Sequence, residues 1–153
     1  MKTLSLAFVL LLGSTAIAHA ENFTFTGKGT QIAQIGGPGP AGKPVAAGHS
    51  KTETEITWAS GSKTTSKGEC MGWSAPPTSG FTNQGMCTAT DSDGSKSFLQ
   101  FTCLAVAEKT ADCWGRLTGL SGKWQGKVGT ASWRSTQNAD GKGGTSVGAG
   151  TLN

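Results

Sequence analysis

The sequence predicts an all-β fold, a single antiparallel eight-stranded barrel, and three observations carry that prediction. Helix signals are almost absent along the 153 residues, which include 24 glycines. About eight segments alternate in period two with Thr, Val, Ile and aromatic residues, separated by short Gly/Ser/Asp/Pro connections. Along Cys113–Arg134, CWGRLTGLSGKWQGKVGTASWR, glycine recurs beside tryptophan. Glycine removes the side chain where backbone bends or approaches another strand, and tryptophan fills the space left open. Strands joined in sequence by short turns form a meander, and closing the meander removes its exposed edges.

The segments predicted as strands are Phe23–Gln31, Lys51–Trp58, Lys67–Trp73, Asn83–Thr90, Ser97–Val106, Asp112–Thr118, Val128–Thr136 and Thr145–Leu152. Between them, Ser60-Gly61-Ser62, Pro76–Gly80, Asp91–Gly94 and Gly119–Gly122 carry the turn residues. One connection differs: Ala33–Ser50 is long and rich in Gly and Pro, and is expected to be an irregular loop, either a flap over one barrel mouth or an insertion without a role.

Ahead of these strands, residues 1–20 read as a signal peptide: a basic Met1-Lys2, an apolar run Leu4–Leu12, and a small-x-small site Ala18-His19-Ala20. The mature chain is expected to begin at Glu21, leaving residues 21–153 as one barrel domain, exported to the periplasm or outside the cell. The apolar run falls short of the roughly 20 residues that span a bilayer as a helix, so no stable membrane insertion is expected. Thirteen Lys/Arg less Lys2 leave twelve against nine Asp/Glu, a net of +3. These charges are scattered singly, with no run that tracks a phosphate backbone, so no nucleic-acid partner is expected.

Four cysteines in an exported chain indicate disulfides. Cys70 and Cys87 are equidistant from the Pro76–Gly80 break, and Cys103 and Cys113 from Glu108-Lys109-Thr110. Residues equidistant from an antiparallel turn face each other, which predicts Cys70–Cys87 and Cys103–Cys113. The rival Cys87–Cys103 pair conflicts with the turn signal Asp93-Gly94, which as a type I′ hairpin sets Cys87 opposite Gln100. No Cys-x-x-Cys or Cys/His pair stands at ligand spacing, so neither a zinc site nor a redox dithiol is expected, and no cofactor.

Several motifs have plainer explanations. Gly37-Pro38-Gly39-Pro40-Ala41-Gly42 matches G-x-G-x-x-G, but its prolines lack the N–H donors a phosphate needs and no helix follows. Asp91-Ser92-Asp93-Gly94 begins like a calcium loop yet lacks the closing glutamate, and a turn explains it. His49 sits beside Ser50 in the Gly-rich segment and reads as a solvated loop histidine. Asn22-Phe23-Thr24 is a glycosylation acceptor only in a eukaryotic secretory route.

The binding candidates lie on the strands. Glu53 and Glu55 share one strand face, where paired carboxylates either do acid–base work inside the barrel or form a wet outer face with Ile56 and Trp58 turned inward. Arg116 shares a face with Trp114 and, if it points inward, is an anion site; the alternative is a cap at the barrel end. Trp58, Trp73 and Trp114, with Trp124 and Trp133, line a lipophilic cavity or serve as core.

The order Gly68-Glu69-Cys70, then Gly85–Phe98 (GMCTATDSDGSKSF), then Gly115–Trp133 (GRLTGLSGKWQGKVGTASW) resembles bacterial proteins with the allene oxide cyclase-like barrel. These are distant structural relatives of plant allene oxide cyclases and dirigent proteins. Such proteins carry a Cys-containing strand, a D-x-D-G-D-type turn and a G-G-T-G-K-aromatic-x-G segment. Here Leu120 replaces a glycine of that segment, and Ser95 stands where the last acidic residue of the turn falls. The resemblance covers about half of the mature chain and implies the same calycin-like eight-stranded barrel. It carries over no catalytic residue.

Together these readings give an exported, disulfide-stapled barrel expected to bind a small apolar or amphipathic ligand or an envelope partner. A cyclase or isomerase acting on a lipophilic substrate, or a purely structural protein with a packed interior, are the alternatives. Catalysis requires Glu53, Glu55 or Arg116 to face inward.

Overall fold

The computed structural model describes residues 20–75, 80 and 82–153. The expected signal segment up to residue 19, and residues 76–79 of the proline break, lie outside the described residues. Eight strands form β1 (Glu21–Pro38), β2 (Pro44–Trp58), β3 (Lys63–Ser74), β4 (Asn83–Asp91), β5 (Lys96–Ala107), β6 (Thr110–Ser121), β7 (Val128–Gln137) and β8 (Gly143–Leu152). Each is antiparallel to the next, and β8 returns to β1 to close the barrel.

Alternation along each strand sorts the residues into an inner and an outer set. On β2, Thr52, Thr54, Ile56 and Trp58 line the interior while Lys51, Glu53 and Glu55 are solvated. The interior is filled by cross-strand pairs of phenylalanine and glycine: Phe23 faces Gly150, Phe25 faces Gly148 and Phe101 faces Gly85. A β-carbon on Gly150 would stand 2.4 Å from the Phe23 ring. The ring therefore occupies the volume that a side chain on the neighbouring strand would otherwise take.

Both disulfides form as the turn symmetry predicts, with Cα atoms 4.0 Å apart in each. Their sulfur atoms belong to the inner set, and Cys103 and Cys113 are buried. An inward cysteine fixes the parity of its strand, so Met71, Met86 and Trp114, its sequence neighbours, must face outward.

Two expectations are corrected. Ala33–Ser50 is a hairpin arm, not an irregular loop: β1 and β2 stay paired from Ala33↔His49 out to Pro38↔Pro44, and a single 3-10 turn, Pro40–Gly42, closes the tip. The prolines concentrate at that tip, where the ladder ends and a missing N–H costs nothing. β8 follows β1 only as far as Thr30↔Gly143, so the arm projects beyond the barrel and leaves Ile35 76% exposed. His49 consequently stands on a strand. Second, Cys87 faces Leu99, and Met86 faces Gln100. Asp91 donates its backbone N–H to the Ser95 carbonyl, which leaves a loop with an odd number of residues, Ser92 to Gly94, in which only Gly94, at φ 83°, is left-handed. A type I′ turn needs two such residues, so the register moves by one.

Candidate functional site

One end of the barrel is plugged. Phe23, Trp58, Trp124, Ala131 and Leu152 form its buried cluster, with Phe25, Ile56, Leu117 and Trp133 packed against it. Trp124 enters from the 3-10 turn Gly122–Trp124 that links β6 to β7. Gly119 makes room for it, since a β-carbon there would lie 1.6 Å from the Trp124 carbonyl oxygen. Trp124 stacks on Trp58 at 5.2 Å, and Trp58 on Phe23 at 5.2 Å, both tilted.

Polar groups lock the plug from outside. Asp91, whose side chain is 2% exposed, accepts the Trp124 indole N–H at 2.8 Å and the Lys123 ammonium at 3.1 Å. The same ammonium reaches Asp93 at 2.9 Å, and Ser95 Oγ accepts the Lys123 backbone N–H at 3.1 Å. The DSDG motif is thus a turn whose carboxylates close on a lysine, tying the β4–β5 connection to the β6–β7 connection. Burial pulls the Lys123 ammonium down, but its bonds to Asp93 and Asp91 outweigh this and hold it above the usual lysine range.

Asp93 is held at about 2 by the Ser95 backbone N–H and then by Lys123, below its ordinary 3.8. A carboxylate whose folded pKa is depressed stabilises the fold above its unfolded value, and that contribution disappears as pH falls through the folded value. Acid titration followed by circular dichroism is expected to show Asp93→Asn losing part of the wild-type decline between about pH 4 and pH 2. Identical acid profiles for the two proteins would count against the staple.

Above the plug the interior stays open. A cavity of about 350 Å³ runs along the barrel axis. Its lining mixes the apolar side chains of Phe25, Ile56, Leu99, Phe101, Leu117 and Trp133 with hydroxyls from Ser50, Thr52, Thr54, Ser97, Ser135 and Ser146, the two kinds sharing strands β2, β5 and β7. Phe25, Trp133 and Phe101 continue the aromatic stack at 6.3 and 5.8 Å, so rings extend from the plug toward the mouth. Ser50, Cys70, Asn83, Phe101 and Ser135 border both this cavity and a wider mouth of about 510 Å³ beneath the hairpin arm, rimmed by Gln31, Gln34, Gln137 and Lys109. The buried Oδ1 of Asn83 has no hydrogen-bond partner among the described residues.

The residues proposed from sequence divide between the two faces. Trp58 lies inside, in the plug. Trp73 and Trp114 are on the outer wall, 40% and 44% exposed, although Trp73 also borders the mouth, and Arg116 shares the outer face with Trp114. Glu53 and Glu55 also face out, Glu55 at 2.9 Å from Lys63 and Glu53 at 3.6 Å from Lys67. None of the three ionisable candidates enters the cavity. Of the residues that border it, Asp91 and Lys28 titrate; Asp91 is committed to Trp124 and Lys123, and Lys28 belongs to the exposed, outward set of β1.

Sequence reasoning missed the phenylalanines as lining residues. The signal that finds them is their opposition to glycine, which the register makes visible. A depression of about 680 Å³ lies on the outer wall, where Thr24, Thr57, Thr130, Ser132 and Ala149 are short beside Trp114. It is a hollow between small side chains, not an enclosure. Neither a scan against protein-family models nor a search of curated proteins finds a match to this chain.

Proposed function

We propose that this protein is exported and holds a small apolar or amphipathic molecule in the barrel, admitted through the mouth beneath the hairpin arm. The observation that carries this reading is the dead-end cavity of about 350 Å³, lined by aromatic and aliphatic side chains with hydroxyls among them. A pocket of that size, largely apolar with a few polar groups, suits a small molecule. Two disulfides fit an oxidising compartment, and β1 begins at Glu21, directly after the expected cleavage site. The outer wall supports an aqueous setting. Lys63–Glu55, Lys67–Glu53 and the bidentate Arg134–Asp112 pair stand on it, whereas a lipid-facing barrel needs an apolar band.

Binding is favoured over cyclase or isomerase chemistry because general acid–base work requires a titratable group within reach of the substrate, and among the described residues the cavity wall below the mouth offers none that is uncommitted. The cavity likewise favours binding over a purely structural role.

Titration with a medium-chain alcohol such as 1-octanol, followed by tryptophan fluorescence, is expected to give a saturable change that is reduced in Trp133→Phe. Leu117→Trp, which fills the cavity, should abolish the change while the far-ultraviolet circular dichroism is retained. A non-saturable response, or an equal response from the filled variant, defeats the proposal.

A further inference from the structure

We propose that His49, Met71 and Met86 form a site on the outer wall for a soft monovalent metal ion of the cuprous class. The chain has three methionines and two histidines, of which Met1 and His19 precede the expected cleavage site. The remaining three, His49, Met71 and Met86, are therefore all the thioethers and imidazoles of the mature chain. The register places them in one line: His49 faces Met71, and Met71 faces Met86, across three successive strands.

All three side chains belong to the outer set. Met71 is 61% exposed and Met86 38%, and the His49 side chain is 35% exposed. Large apolar side chains are ordinarily withdrawn from water, yet here the two methionines stand opposite each other in it. Directly behind them, the Cys70–Cys87 disulfide joins the same two strands and fixes their register. Facing β-carbons on adjacent strands lie about 4.5 to 5.5 Å apart, a spacing that flexible methionine side chains can close onto one ion.

The donor set selects the ion. Thioethers are soft ligands that favour Cu(I), and imidazole accepts copper as well, whereas Mg²⁺ and Ca²⁺ require oxygen. Glu69 Oε2 lies 3.3 Å from His49 Nε2. A carboxylate only accepts, so Nε2 donates its N–H and Nδ1 keeps the lone pair in the neutral ring. A histidine oriented by a carboxylate in this way is the usual arrangement behind a metal ligand. Trp73, two residues beyond Met71 on the same face and 40% exposed, sets an indole beside the bound cation. The site involves no electron transfer; Met71 and Met86 lie on the outer face, whereas His49 and Trp73 also border the mouth.

The test uses Ag(I), a redox-inert stand-in for Cu(I), with the mature protein in chloride-free buffer. Native mass spectrometry should count one ion per chain, and the ε-methyl resonances of Met71 and Met86 should shift together. Quenching of tryptophan fluorescence should weaken in Trp73→Phe. Met71→Leu and Met86→Leu lie on the outer wall and should leave the fold intact while each lowers affinity at least about tenfold; Glu69→Gln, acting through His49, should lower it by about tenfold. Absence of binding, a response from one methyl alone, undiminished binding in the Met71→Leu/Met86→Leu double variant, or equal affinity for Zn²⁺ would each overturn the assignment.

Discussion

Replacing Trp124 with alanine is expected to lower the stability of the barrel by about 3 to 5 kcal/mol, the range for truncating a large buried aromatic. Trp124 is 6% exposed and is the outermost ring of the plug. Its removal opens a void against Trp58 and takes away the indole donor from Asp91, a carboxylate whose side chain is 2% exposed. Leaving a buried acceptor short of a partner adds to the loss of packing. Urea unfolding followed by circular dichroism measures the change. Trp73→Ala, at 40% exposure, is the control and should cost well under half as much. Equal losses for the two variants would mean that Trp124 does not plug the barrel.

Removing the Cys103–Cys113 bridge, by alanine at both positions, is expected to destabilise the protein by about 2 to 4 kcal/mol. The link closes a loop with a sequence separation of 10 and joins two residues that are 4% and 3% exposed. The chain-entropy account assigns Cys70–Cys87, with a separation of 17, only a few tenths of a kcal/mol more, because loop entropy grows as the logarithm of length. Packing reverses that order: Cys103 and Cys113 are buried, whereas Cys70 borders the mouth. Melting temperatures of the two double-alanine variants should therefore fall further for the Cys103/Cys113 pair. A larger fall for Cys70/Cys87 would leave loop closure as the dominant effect.

Much of the barrel was legible because its turns are symmetric about residues of known preference. The centre between Cys70 and Cys87 survives in the pairing, as does the centre between Cys103 and Cys113. The Asp93-Gly94 connection misled by one residue, since one glycine in the left-handed region serves a longer turn equally well. The arm from Ala33 to Ser50 was hidden by its composition. Glycine and proline argue for irregular backbone, but the ladder runs through Ile35 and Val45, and the prolines gather where it stops.

The candidate site was less legible. Tryptophan at Trp73 and Trp114 suggests a lined cavity, yet only the parity of each strand decides which face it joins, and neither residue states its own. The cysteines did carry that information. Once both bridges are known to point inward, the outward placement of Trp114, Met71 and Met86 follows, and Trp73 with them. Glu53 and Glu55 were expected either inside or on a wet face; their pairing with Lys67 and Lys63 places them on the latter.

Ligand binding in this barrel requires an interior that is open to apolar matter above a sealed base. A crystal of the protein pressurised with xenon tests this most directly, because dry apolar cavities take up the gas. The expected result is xenon density between Phe101, Leu117 and Trp133, reached from the mouth. Ordered side chains filling that space, with no xenon among them, would contradict it.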